Sequence, residues 1–162
     1  MLFRSMREPA LFMANLLRGL NATLGPSSAI DHYSSELGED LFNPPTVFSY
    51  FSPLYRLENG GPAPEFQIYS TQTASDRADV VNTVLYGALD KSTTIDLTKF
   101  LQYGSNVSSM VGYISYVFLH QAMSGNLQEA AMSAAKAATG AKAQAQAALY
   151  VVLTSGEYQI VQ

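Results

Sequence analysis

Apolar side chains recur at intervals of three and four residues along most of the chain, which is the spacing that places them on one face of an α-helix. The first such segment follows Pro9, a residue that the first turn of a helix tolerates, and predicts a helix over Glu8–Asn21. A second segment, Ala29–Leu37, is preceded by Ser27–Ser28, which can supply an N-cap, and is closed by Gly38. Sustained alternation of apolar and polar residues, which would indicate strands, is not found, so the pattern favours helices.

The helical spacing returns after a long interruption in the middle of the chain. It predicts a long third helix from Phe66 or Ser70 to Ala88, with Arg77 and its two neighbouring aspartates largely off the apolar face and in solvent. A polar connector follows, and the side chain of Asp96 can cap a short helix behind it. We therefore expect one long and one short helix in this part of the chain.

The C-terminal third contains the most periodic segment, which Asn106 caps and which continues to Phe118. Two further helices are predicted, one beginning near Ser124 and the other after Gly140. Alanine is so frequent between Ala130 and Ala148 that these two helices can form a close hairpin with little side-chain bulk. We expect this hairpin to leave an apolar, alanine-lined face exposed, because it cannot enclose a densely packed core alone.

The helical spacing is lost between Glu39 and Pro64. Pro44–Pro45, Pro53 and Asn59–Gly60–Gly61 are incompatible with a long helix or a central strand. Large apolar and aromatic residues are dense here and just beyond: Phe42, Val47, Phe48, Tyr50, Phe51, Tyr55, Phe66 and Tyr69. We expect these side chains to anchor an ordered loop to the helices, since aromatic rings bury the most area per residue.

Taken together, these segments predict one all-α domain over residues 1–162. It should be a bundle of about five to seven helices with a long, ordered loop rich in proline and aromatic residues, and at most a short pair of strands. A chain of 162 residues with 48% hydrophobic residues is long enough to bury a core of its own.

Composition and charge exclude several function classes. Nine Lys and Arg against thirteen Asp and Glu, with no basic cluster, argue against a nucleic-acid partner. The absence of cysteine excludes disulfides, a thiol nucleophile and a cysteine-type zinc site. No apolar run reaches the length of a membrane span, and the N-terminal segment reads as an amphipathic helix rather than a signal peptide. Only 14% of the residues are charged, which is low for a soluble surface and indicates that a partner covers part of it.

The residues give no catalytic or metal constellation. His32 is adjacent to Asp31, but neighbours along a helix do not face each other, so it is expected to be a surface histidine. His120 should lie at a helix C-terminus, where an imidazolium is favourable. Asp76 and Asp79 can share a helix face, which we interpret as solvated. Glycine-rich phosphate loops and serine nucleophile elbows are not found, so we predict no catalytic residue, no metal and no cofactor.

The loop offers one alternative site. Glu39, Asp40, Tyr50, Phe51 and Tyr55 could act together as polar and stacking groups for a sugar or a peptide. Exposed rings beside the carboxylates would favour this alternative, whereas rings buried under the helices would favour a structural role.

Two stretches carry a specific family resemblance. Residues 37–47 read Leu-Gly-Glu-Asp-Leu-Phe-Asn-Pro-Pro-Thr-Val, and residues 148–159, near the C-terminus, read Ala-Leu-Tyr-Val-Val-Leu-Thr-Ser-Gly-Glu-Tyr-Gln. They resemble the Leu-Gly-x-x-Leu-Phe-x-Pro-Pro-x-Val signature and the closing segment of the bacterial family called domain of unknown function 1800. Arg7–Phe12 and the run from Pro64 to Asn82 resemble neighbouring segments of that family. Many members continue the signature with Gly-Trp, where this chain has Ser49–Tyr50–Phe51.

The resemblance covers nearly the whole chain but only about the C-terminal third of a typical member. It implies an exported bacterial protein, periplasmic or extracellular, without implying any catalytic residue. We therefore interpret the chain as a non-catalytic structural or interaction segment whose partner is the missing N-terminal portion of the parent protein or a second copy. The alternative is a carbohydrate-binding or hydrolase-associated module that uses the aromatic loop over residues 39–69.

Overall fold

Helices dominate the computed structural model, which describes residues 5–26, 29–58 and 61–161. Its elements in chain order are β1 (Ser5–Met6), α1 (Pro9–Gly19), α2 (Ala29–Glu36), a 3-10 helix (Pro64–Ile68), α3 (Thr71–Tyr86), α4 (Thr98–Leu101), α5 (Val107–Phe118), α6 (Gly125–Ala137), α7 (Ala141–Leu153), α8 (Gly156–Gln159) and β2 (Ile160–Val161). The all-α prediction is confirmed. The short α8 is a helix that the sequence pattern did not predict. The N-cap expected at Ser27–Ser28 and the Asn59–Gly60 part of the predicted turn lie outside the described residues.

Side-chain hydrogen bonds lie at two helix starts in the second half. Asn106 caps α5 as predicted, accepting a hydrogen bond from the backbone N–H of Ser109 at 3.1 Å. Asp96 accepts one from the Thr98 N–H at 2.8 Å, but the N-cap residue of α4 is Leu97, so the predicted cap is one residue too early. Of the two predicted starts of α3, Ser70 is the correct one, since its side chain caps the helix there. The residues before it form the separate 3-10 helix, because Pro64 begins that short turn and its bonding pattern ends at Ile68.

The strands bring the two ends of the described chain together. β1 and β2 pair antiparallel, with Ser5 opposite Val161 and Met6 opposite Ile160. The ladder is extended by one further hydrogen bond, from the Arg7 N–H to the Gln159 carbonyl at 2.7 Å. Residues that are more than 150 positions apart in sequence therefore form one local structure.

The alanine-rich hairpin faces inward rather than outward. Ala131 and Ala135 of α6 and Ala145 and Ala148 of α7 are completely buried and belong to the common core with α1, α3 and α5. The exposed face of α6 is mainly polar; its residues include Asn126, Glu129, Ser133 and Lys136. The expectation of an exposed, alanine-lined face is therefore wrong, because the small alanines allow α6 and α7 to approach closely and seal the core between them.

Candidate functional site

The largest exposed apolar side chains of the described residues lie in the loop between α2 and the 3-10 helix. Phe42 is 99% exposed, Val47 96%, Phe48 76% and Leu54 84%. We call these four side chains the loop surface. The expectation that the rings anchor the loop to the helices is wrong for Phe42 and Phe48, and the same holds for Val47.

Local hydrogen bonds, rather than buried rings, order this loop. The Asn43 N–H and Nδ2–H donate to the backbone and side-chain oxygens of Asp40, at 2.9 and 2.8 Å. The hydroxyl of Thr46 accepts from the Phe48 N–H at 3.2 Å, and the Ser52 N–H donates to the Gln67 side chain at 2.6 Å. The backbone therefore has a defined course while the apolar side chains remain in solvent.

Phe42 combines exposure with an unfavourable backbone conformation. Its φ angle is +64°, in the left-handed region that bulky residues rarely adopt. A conformation of this kind costs on the order of 1–3 kcal/mol and persists only where the surroundings enforce it. Here the turn from Asp40 to Asn43 enforces it, so a folded segment presents the ring of Phe42 to solvent.

The loop surface is also uncharged. The sequence carries no Asp, Glu, Lys or Arg from Leu41 to Tyr55, and Asp40 and Arg56 bracket this segment. Large apolar side chains clustered in a segment without charges are typical of a surface that another molecule covers. Electrostatic recognition of a strongly charged ligand has no basis here.

The five residues of the alternative site have different environments. Glu39 is buried, and its Oε2 accepts a hydrogen bond from the Ala10 N–H at 2.7 Å, in the first turn of α1. Asp40 is exposed and accepts from Asn43, while Tyr50, Phe51 and Tyr55 are half-buried. Glu39 therefore holds a helix N-terminus, where a carboxylate is favoured by the helix dipole. Asp40 is the exposed carboxylate of this set.

A second candidate site, which the sequence analysis missed, contains two buried arginines. Arg7 is 5% exposed and Arg77 is 2% exposed, so the expectation that Arg77 lies in solvent is wrong. The signal was present in the spacing: Arg77 follows Ala74 by three residues and precedes Val81 by four, which puts it on the apolar face of α3. Its charge led to the opposite expectation.

Aromatic rings cover the two guanidinium groups. The Cζ atom of Arg7 lies 4.2 Å from the centre of the Tyr158 ring. The Cζ atom of Arg77 lies 5.0 Å from the Phe12 ring and 5.3 Å from the Tyr69 ring. These are cation–π distances, which partly offset the cost of removing the charges from water.

The polar partners of these groups are few. Nη1 of Arg77 donates to Oε1 of Gln159 at 2.8 Å, and the Tyr158 hydroxyl donates to the Phe12 carbonyl at 3.4 Å. Burial lowers the pKa of Arg77 to about 10, so its guanidinium is still charged at neutral pH. Burial raises the pKa of Tyr158 to about 12, so its hydroxyl stays protonated. We call Arg7, Arg77, Tyr158 and Gln159 the arginine cluster.

Three buried donors of the arginine cluster have no hydrogen-bond partner. They are Nε and Nη1 of Arg7 and Nε of Arg77. Among the described residues, no carboxylate oxygen lies within 4 Å of either guanidinium. Glu39 attracts Arg77 at longer range, but its carboxylate is bonded to the first turn of α1. Two buried cations without an ion pair are an unusual arrangement that needs a physical explanation.

The remaining candidates have ordinary surroundings. His32 is exposed, as predicted, with Nε2 3.3 Å from Oε1 of Glu36. Asp76 accepts a hydrogen bond from the Gln72 side chain at 2.7 Å. His120 is exposed just after α5, with a φ of +56°. It lines a groove of about 350 Å³ together with Ser115, and the Ser115 hydroxyl already donates to the Gln121 carbonyl.

Within the described ranges, no three His, Asp or Glu side chains group as a metal ion would require. None of the helices described here is long and apolar enough to cross a bilayer.

Comparison with known proteins gives one finding. A family model described as a protein of unknown function, DUF1800, matches residues 2–160. The chain matches no curated protein and no solved structure.

Proposed function

The chain belongs to the DUF1800 family of proteins of unknown function, and we propose that it acts there as a non-catalytic interaction domain that packs against another protein segment through the loop surface. The observation that carries this proposal is the exposure of Phe42, Val47, Phe48 and Leu54 on an ordered, uncharged loop.

Burial of the loop surface supplies the driving force. Removing a large exposed apolar side chain from water contributes roughly 1.5–3 kcal/mol, so a partner that covers all four gains several kcal/mol. The turns around Asp40 and Thr46 order the backbone in advance, so less conformational entropy is lost on binding. Phe42, with a backbone conformation already fixed, is suited to be the central anchor of the contact.

The proposed occupant is the remaining portion of the family domain. Phe42, Pro44, Pro45 and Val47 are exposed and belong to the signature by which this chain resembles the family. A surface formed by signature residues is best matched by an occupant that the other members also possess. The resemblance relates this chain to the C-terminal third of a typical member, and the preceding two thirds meet that condition. By the same resemblance we propose that the assembled protein is exported.

The test is a calorimetric titration of this chain with the purified N-terminal portion of a longer family member. We expect saturable binding with a negative heat-capacity change, because apolar area is buried. A triple variant, Phe42→Ser, Val47→Ser and Phe48→Ser, should weaken binding at least ten-fold. The matched control is Leu24→Ser, which removes an exposed leucine outside the loop and should leave binding unchanged.

Three outcomes would contradict this assignment. They are the absence of binding, binding that the triple variant retains, and self-association of the chain through the loop without any affinity for the N-terminal portion. The triple variant should fold as the native chain does, because the three side chains are almost entirely in solvent. Its circular dichroism spectrum checks this.

The carbohydrate-binding or hydrolase-associated alternative remains a separate prediction for the loop over residues 39–69. It relies on Tyr50, Phe51 and Tyr55 and on the exposed carboxylate of Asp40. These three rings are half-buried, so they match neither the exposed rings expected for this alternative nor the buried rings expected for a structural role. Glycan-array binding that Tyr50→Ala abolishes, with folding intact, would favour it over the interaction domain.

A further inference from the structure

We infer that the arginine cluster is a binding site for a small oxyanion, a phosphate or carboxylate group held by the free N–H groups of Arg7 and Arg77. This inference is independent of the loop surface. It starts from the three buried guanidinium nitrogens that have no hydrogen-bond partner.

Unpartnered donors of this kind are costly. A buried polar group without a hydrogen bond destabilises the folded state, and a charged group does so more strongly. Nearly all buried polar atoms in folded proteins are therefore bonded. The arginine cluster has three exceptions on two residues that bond to the same partner: Arg77 donates to the Gln159 side chain, and the Arg7 backbone N–H donates to the Gln159 carbonyl.

The unpartnered N–H groups lie at the buried edges of the guanidinium planes. Rings cover the two groups: Tyr158 at 4.2 Å from Arg7, and Phe12 and Tyr69 at 5.0 and 5.3 Å from Arg77. A guanidinium contacts aromatic rings through its face and binds oxyanions through its in-plane N–H groups. Because it is positively charged, it binds cations poorly. Ring contacts and free N–H groups together are the arrangement that arginine uses in oxyanion recognition.

The charges of the cluster specify the sign of the ligand. Arg7 and Arg77 are both positive. Of the carboxylates in this region, Glu39 and Glu65 are bonded elsewhere, and the pKa of Glu8 is raised, first by burial. Glu39 accepts from Ala10 in the first turn of α1, and Glu65 accepts from the Ser5 hydroxyl at 2.9 Å. A water molecule could satisfy the donors but would leave the charges uncompensated. An oxyanion satisfies both requirements.

Access to the site requires only a local opening. Arg7 follows β1, a strand of two residues, and short peripheral elements open at a much lower free-energy cost than the whole domain. A small ion can enter during such openings and is then held by the N–H groups of Arg7 and Arg77.

The experiment observes the arginines directly by NMR in the unmodified chain. The Nε–H signals of Arg7 and Arg77 are followed while sodium phosphate or sodium acetate replaces sodium chloride at constant ionic strength. We expect saturable shifts of both signals. Phosphate at a hundred times its Kd should also raise the Tm by about 5–10 °C, because the ion binds only the folded state.

The two titrations distinguish the sources of the ligand. A stronger response to phosphate assigns a phosphate group, and a stronger response to acetate assigns a carboxylate. Arg7→Lys and Arg77→Lys keep the charge but lose the planar donor set, so each should weaken binding at least ten-fold. Arg18→Lys, at an exposed position of α1, is the control and should bind as the native chain does.

The inference is overturned if neither anion shifts the Nε–H signals saturably. It is equally overturned if chloride produces the same shifts or if the Arg7→Lys variant retains full affinity. The NMR titration of the native chain decides the question even if a lysine variant fails to fold.

Discussion

Gly19 determines how closely α1 and α5 approach at the centre of the core. A Cβ atom at this position would lie only 2.2 Å from the nearest carbon of the Phe118 ring. Phe118 itself is buried; its ring stacks on Phe100 and meets Tyr158 edge to face, so neighbouring rings restrict its movement. The missing side chain of Gly19 is therefore a requirement of packing rather than of backbone conformation.

Gly19→Ala should destabilise the protein by about 1–3 kcal/mol, because the added methyl group overpacks the contact with Phe118. Gly112→Ala is the matched control, since a Cβ at this exposed position of α5 meets no atom within 4 Å. At position 112 alanine has a better helix propensity than glycine, so this variant should be more stable than the native protein by roughly 0.5–1 kcal/mol. Urea denaturation of the two variants measures both changes. Equal changes in the free energy of unfolding of the two variants would contradict the close contact between Gly19 and Phe118.

Glu8 carries a pH dependence that can be measured. Its pKa is raised, first by burial and then by repulsion from Glu39 and Glu65. A raised pKa means that the folded state holds the proton more tightly than the unfolded state. Protonated Glu8 therefore adds to the free energy of unfolding. This contribution is fully present below the pKa that Glu8 has in the unfolded chain, and it is lost as the pH rises through the pKa of the folded state.

Glu8→Gln should therefore raise the Tm at pH 7 and leave it nearly unchanged near pH 4. The gain should stay below about 0.5 kcal/mol, because the side chain is partly exposed and solvent screens the repulsion. Glu129→Gln, exposed on α6, is the control and should show no such difference between the two pH values. Scanning calorimetry at both values provides the measurement, and a Glu8→Gln gain that persists at pH 4 would contradict the electrostatic origin.

At the scale of elements, helix caps were the features that the sequence predicted best. Asn106 caps α5 as predicted, and Ser70 caps α3 at one of its two predicted starts. Each accepts from a backbone N–H three residues away, so local chemistry alone determines these helix starts. The cap formed by Glu39 could not be predicted, because it reaches Ala10 from a different element.

Asn106→Ala should remove the cap of α5 and cost about 1 kcal/mol, since the Ser109 N–H loses its acceptor. For a domain of this size the Tm should fall by about 2–4 °C. Asn126→Ala changes the same residue type in the exposed first turn of α6 and should stay within about 0.5 kcal/mol of the native chain. Thermal unfolding followed by circular dichroism compares the two, and an equal loss in both would show that the cap contributes nothing.

At the scale of the whole molecule, the sequence predicted the fold class and a possible binding role for the loop, but neither the residues of the loop surface nor the arginine cluster. The spacing of apolar residues determines which helix faces are buried, and this information is local. The exposure of Phe42 depends on what the rest of the fold leaves uncovered, and the burial of Arg7 depends on the pairing of β1 with β2. Both are long-range outcomes. Arg77 is the exception, because the spacing around it already placed it on the apolar face.

The central claim, that a protein segment covers the loop surface, can be tested at the loop itself. Because the chain has no cysteine, Val47→Cys gives a single site for an environment-sensitive fluorescent dye, and Ser133→Cys on the exposed face of α6 gives the matched control. When the N-terminal portion of a longer family member is added, the account predicts a saturable blue shift of the dye at position 47 and none at position 133. An unchanged spectrum at position 47, or equal shifts at the two positions, would contradict it.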